Sequence, residues 1–93
     1  TYGVPVEEIV EGIRNGVRKV NIDTDLRMAS TGAIRRHLAE DRKNFDPRKF
    51  YKEATKAMKG ICAARYEAFG SAGMASRITQ VYSLEAMQRR YGS

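Results

Sequence analysis

The stretch Lys19-Val-Asn-Ile-Asp-Thr-Asp25 decides how the rest of the chain is read. A short apolar pattern carried by Val17, Val20 and Ile22 stops in three carboxyl or amide side chains and a hydroxyl. A helical pattern follows at once. The alternation is imperfect, so a strand over residues 17–22 is expected from its β-branched residues and bounding turns. In an α/β protein such a cluster lies at the carboxyl end of a strand, where ligands are bound. Asn and Asp are hard to explain there as core, because buried polar groups need partners.

Upstream, Pro5 suits the first turn of a helix, with Glu7 and Glu8 well placed near its amino end. Val6, Ile9, Val10 and Ile13 recur at helical spacing, and Gly16 is a stop. Downstream, Leu26, Ala29, Ala33 or Ile34, and Leu38 form one stripe, and Thr24 or Asp25 can cap the helix. Gly32 inside it costs up to ~1 kcal/mol relative to Ala, which suggests close packing against another backbone. Residues 40–44 are polar and connecting.

Asp46-Pro47-Arg48 is a helix start, an Asp cap followed by Pro where its missing donor does no harm. Phe50, Ala54, Ala57, Met58, Ile61, Ala64 or Arg65, and Ala68 continue to Gly70, and the small residues among them imply close helix contacts. Residues 70–82 read as an irregular tail, and Ser83 caps a last helix over residues 84–90. Helix, turn, strand, polar cluster, helix is the rhythm of a parallel α/β fold. One strand followed by three helices has no sheet of its own, since parallel neighbours require crossovers. The expectation is therefore the last strand and carboxyl-terminal helices of a larger α/β domain, not an independent domain.

Composition narrows the functional classes. An apolar fraction of 42% in 93 residues argues against disorder, and a chain of this length buries only roughly 60–65% of its unfolded surface. The sequence has neither a signal-peptide pattern nor a membrane-spanning apolar run. The single Cys62 excludes an internal disulfide, fits a reducing compartment, and reads as a small buried hydrophobe. The net charge of +6 is scattered over Arg35-Arg36, Arg42-Lys43, Arg48-Lys49 and Arg89-Arg90 rather than gathered in one tract.

A phosphate site is the chemistry that best suits Asn21 to Asp25. The backbone donors opening the next helix and the Thr24 hydroxyl are phosphate ligands. Asp23 would repel a dianion, so it accepts from a substrate hydroxyl, pairs with a base or helps hold a cation. The alternative is that Asn21, Asp23 and Asp25 merely cap the helix and tie down the loop. Arg48 can clamp a phosphate in bidentate fashion or serve as an ordinary surface arginine. Arg65 reads as an inter-helix salt bridge. His37 has no ligand partner at metal spacing and reads as a surface or packing residue. Tyr2, Tyr51, Tyr66, Tyr82 and Tyr91 read as packing or interface residues. No general-base dyad, metal site or activated nucleophile is visible.

The runs Tyr2-Gly-Val-Pro-Val-Glu-Glu-Ile9, Gly16-Val-Arg-Lys-Val-Asn-Ile-Asp-Thr-Asp-Leu-Arg27 and Phe45-Asp-Pro-Arg-Lys49, with Glu67-Ala-Phe-Gly-Ser-Ala-Gly73, resemble the carboxyl-terminal part of a class II fructose-1,6-bisphosphate aldolase. The likeness is to the longer bacterial form of glycolysis, gluconeogenesis and the Calvin cycle. It implies a TIM (β/α)8 barrel, with residues 17–23 as the eighth strand, 26–40 as the eighth helix and 41–93 as a helical extension. It implies a cytoplasmic lyase that reversibly cleaves fructose 1,6-bisphosphate into dihydroxyacetone phosphate and glyceraldehyde 3-phosphate. A zinc ion would polarise the ketone and stabilise the enediolate, and a monovalent cation, sodium or potassium, would assist phosphate binding. The zinc ligands and the proton donor would lie in the preceding, amino-terminal part of the enzyme, leaving no catalytic or metal residue here.

By the same resemblance, Asn21, Ile22, Asp23 and Thr24 are ketose-phosphate contacts. Arg48 reaches into the site of a neighbouring subunit in a homodimer or homotetramer and binds the other phosphate. Neither nucleic acid nor membrane is an implied partner. Two other readings stand beside this one. The first is a basic helical fragment that binds nucleic acid through Arg35, Arg36, Arg42, Lys43, Arg89 and Arg90. The second is a structural segment whose alanine-rich helix joins subunits.

Overall fold

A computed structural model describes residues 2–77 and 83–92. Among these residues four α-helices appear in order: α1 over Val6–Arg14, α2 over Thr24–Glu40, α3 over Pro47–Ala68 and α4 over Leu84–Tyr91, with a 3-10 turn at Ala75–Arg77 following α3.

The chain is helical where an α/β pattern was expected. Among the described residues no strand forms, which overturns both the strand over residues 17–22 (or 17–23) and the TIM-barrel architecture for this chain. The physical reason is that a strand exists only through the ladder it makes with a neighbour. Here the Val17 N–H turns back to the Gly12 carbonyl at 3.0 Å. The Ile13 and Val17 carbonyls accept from the Arg18 guanidinium instead of from a second strand, each at 3.0 Å.

The local signals at the start of α3 and α4 and at the ends of α1 and α3 hold in the structure. Asp46 caps α3 by accepting from the Arg48 N–H at 3.0 Å, and Pro47 occupies the first turn. Ser83 caps α4 by accepting from the Ala86 N–H at 3.1 Å. Gly16 and Gly70 both follow helices with φ of +112° and +76°. Each closes a paired bond pattern: Gly16 N–H to Ile13 and Val17 N–H to Gly12 behind α1, Gly70 N–H to Glu67 and Ser71 N–H to Tyr66 behind α3. Pro5 sits one residue before α1, its carbonyl accepting from Glu8 and Ile9.

The body of the structure is the α2–α3 pair, antiparallel because the first turn of α2 meets the last turn of α3. Among the described residues Ala54, at 4% exposure, is the one buried apolar residue, and the rest of the contact is half-buried: Leu26, Ala29, Ala33 and Ile34 from α2, Phe50, Ala57, Met58 and Ile61 from α3. α1 lies against α3. On α2 it is His37, not Leu38, that turns toward the pair. Its Nε2 meets the Asn44 amide, which accepts from the Asp46 N–H and so ties α2 to the start of α3.

Gly32 departs from the sequence reading. A Cβ built there meets no atom within 4 Å, because Gly32 borders a shallow depression with Arg27, Met28, Thr31 and Arg35. Tyr2, Tyr51, Tyr66 and Tyr91 are exposed rather than packed, and Tyr82 lies outside the described residues.

Candidate functional site

The residues from Asn21 to Thr24 sit in and just before the first turn of α2. Asn21, Asp23 and Thr24 are exposed, while Ile22 is half-buried. The Lys19 ammonium donates to the Asn21 amide oxygen. Asp23, rather than Thr24 or Asp25, is the residue preceding the helix, and its side chain makes no cap bond. Its carboxylate instead accepts from Arg27 Nε at 2.9 Å, one turn on. The opening turn of α2 thus lacks a side-chain cap, and Thr24 is the first residue at the positive end of the helix. Such a turn can receive an anion.

Asp25 behaves differently from its neighbours. Its side chain is only 14% exposed and meets Arg65, 20% exposed, at 3.4 Å. This is the inter-helix bridge expected of Arg65, with a partner 40 residues away. Removing one partner of such a pair costs between ~1 and ~4 kcal/mol, bracketed by exposed and fully buried pairs. Asp25 was read as a cap, and the only sequence signal for its inward role was a carboxylate one residue before the apolar stripe of α2.

Arg48 stands elsewhere. It lies in the first turn of α3, with its side chain 90% exposed. Its guanidinium turns back on Asp46, donating from Nε to Oδ1 at 3.1 Å and from Nη2 to Oδ2 at 2.8 Å. The paired guanidinium, helped by the Arg48 N–H, holds the Asp46 carboxyl below the usual carboxylate range, and the same bond raises Arg48 further. Tyr51, on the same face of α3, is exposed, and Phe45 just before the helix is 90% exposed.

The two clusters occupy opposite ends of the helix pair. α2 has 17 residues, so at about 1.5 Å per residue it puts roughly 25 Å between the Thr24 end and the Arg48 end. One chain therefore does not bring Arg48 to Asn21–Thr24. Of the candidates, Ile22 lines a cavity of about 350 Å³ with Ile13, Val17, Cys62, Arg65 and Phe69. Cys62 is half-buried in that wall rather than fully buried.

Among the described residues, no group of three His, Cys, Asp or Glu side chains could hold a metal ion, and His37 is engaged with Asn44. The described donor set offers no place for the zinc implied by the resemblance, whose ligands that resemblance puts outside this segment. No described helix is long and apolar enough to cross a membrane.

The sequence model for fructose-bisphosphate aldolase class-II matches residues 1–74. That stretch contains both clusters, and the chain belongs to this family. It is similar to the fructose-bisphosphate aldolase of Pseudomonas aeruginosa, 68% identical over 91 residues, covering 98% of this chain and 25% of the relative. The fructose-bisphosphate aldolase of Stutzerimonas stutzeri is 67% identical over 93 residues, covering 100% of this chain and 26% of the relative. Fructose-bisphosphate aldolase 2 of Rhodobacter capsulatus is 58% identical over 93 residues, covering 100% of this chain and 81% of that protein. The chain thus spans about a quarter of the length of the first two relatives.

Proposed function

We propose that this chain is the carboxyl-terminal portion of a class II fructose-bisphosphate aldolase, a cytoplasmic enzyme acting on fructose 1,6-bisphosphate and the triose phosphates. In this reading Asn21, the Ile22 backbone, Asp23 and Thr24 contact the ketose phosphate. Arg48 contacts the second phosphate from a neighbouring subunit. The observation that carries the reading is the family match over residues 1–74, which includes every one of these positions.

Geometry bears on three of these residues. Thr24 presents its hydroxyl at a helix start that no side chain caps, so it suits a phosphate. Asp23 is held by Arg27 through one oxygen, which leaves the other carboxylate oxygen free to accept from a sugar hydroxyl. Arg48 is exposed between exposed aromatic residues, Phe45 and Tyr51, the composition of a surface that another protein covers. Its distance from Thr24 makes a shared, inter-subunit site the arrangement in which both act on one substrate. The zinc that the family uses would polarise the substrate ketone; its ligands, and the site of any monovalent cation, are assigned to the remainder of the protein.

A chimaera tests the proposal. This sequence replaces the matching quarter of the Pseudomonas aeruginosa relative, and cleavage of fructose 1,6-bisphosphate is followed by a coupled triose-phosphate assay. Activity comparable with the parent is expected, whereas the relative lacking the quarter should be inactive. A folded, metal-loaded chimaera that cleaves no substrate overturns the reading.

A further inference from the structure

The ion pairs Arg14–Glu11, Arg27–Asp23 and Arg48–Asp46 link residues two to four positions apart, so they fix side-chain rotamers but not the docking of one helix on another. Asp25–Arg65 is of another kind. It joins the first turn of α2 to the last turn of α3, with both side chains largely shielded. Asp25 adjoins Thr24 in the chain, so whatever fixes its carboxylate fixes the turn that presents the Thr24 hydroxyl and backbone donors. Arg65 also stands behind the preceding segment: it shares one cavity wall with Ile22 and Val20, and a second with Asp25 and Val4. Its Nε is shut away without a partner, a cost accepted to hold the guanidinium in that place. An apolar pair of similar shape would hold two helices together as well or better; a directional charged bond adds a fixed rotation of the turn.

We infer that Arg65 is a positioning residue for the substrate-contact segment Asn21–Thr24, acting through Asp25. The inference rests on the substrate-contact reading given above. Small displacements of a phosphate-binding turn are expensive, since misplacement by about 1 Å can cost about a hundredfold in rate. Loss of the pair should therefore appear in substrate handling, beyond any effect on stability.

The experiment is a double-mutant cycle in the chimaera, comparing Arg65→Met, Thr24→Val and the double variant, with thermal unfolding and metal content measured on each. Arg65→Met should raise KM for fructose 1,6-bisphosphate about tenfold or more at unchanged metal content. Arg65→Lys should recover part of the loss, because a point charge reaches Asp25 without the guanidinium fork. The double variant should be no worse than the poorer single, because both changes disable one device. Should Arg65→Met not fold, Asp25→Asn, which keeps the shape and removes the charge, takes its place in the same cycle. Unchanged KM and kcat in the folded Arg65 or Asp25 variant, or losses that multiply in the double, would overturn the positioning role. A neutral Thr24→Val would instead strike the substrate-contact reading itself, and the inference with it.

Discussion

Complementation between Asn21→Ala and Arg48→Ala gives the sharpest test of how the two clusters are used. The 17 residues of α2 place them at opposite ends of the helix pair, roughly 25 Å apart at about 1.5 Å per residue. An arginine side chain spans only a small part of that distance. If both residues serve one substrate, they come from different subunits. Each variant alone then breaks every site, Asn21→Ala in the subunit that carries it and Arg48→Ala in its neighbour. When equal amounts exchange subunits at random, about half of the pairs are hybrids. A hybrid pair has one site with both defects and one with neither. A quarter of all sites are thus intact, and specific activity should recover to about a quarter of the unmodified chimaera. The assay is steady-state cleavage after unfolding and refolding the mixture, with subunit exchange verified by mass-tagged protomers. An exchanged mixture no more active than the better parent would refute the shared-site reasoning. Recovery before exchange would refute it equally.

Other perturbations address single features. Thr24→Val should weaken binding of fructose 1,6-bisphosphate by roughly 1.5–3 kcal/mol, the worth of one charge-assisted bond, with melting temperature nearly unchanged. Gly32→Ala should stabilise α2 by up to ~1 kcal/mol, because a methyl there meets open space; a fall in melting temperature would restore the close packing expected from sequence. Asp46 should show a pH signature. Folding lowers its pKa, so its contribution is complete above the unfolded value near ~4 and is lost as pH falls through the lower folded value. Asp46→Asn, which keeps the cap but not the charge, should remove that dependence from a helix-reporting acid titration. The 93-residue chain by itself should show no cooperative melt, since Ala54 is the one buried apolar side chain among the described residues; a sharp two-state transition would count against the reading as a part of a larger enzyme.

Sequence alone determined most of what depends on near neighbours, the start of α2 excepted. The Asp46-Pro47 start, the Ser83 cap and the glycine stops at Gly16 and Gly70 are legible because a cap bond or a left-handed residue involves positions only a few apart. The family was legible for a similar reason, through local runs of side chains in fixed order, and the same runs are what single out Asn21, Ile22, Asp23, Thr24 and Arg48 as candidates. Tertiary structure decided whatever needed a partner distant in the chain. Residues 17–22 carry a strand-like composition and form no strand, since the ladder depends on a neighbour that composition cannot provide. Gly32 faces open space instead of a backbone, and His37 takes the inward place that the stripe gave to Leu38. Arg65 could be read as a bridge, but Asp25 emerged as its partner only when α2 and α3 packed antiparallel and brought residues 40 apart to 3.4 Å. Helix propensity and capping act within a turn or two, whereas pairing, burial and charge compensation are set by which surfaces meet.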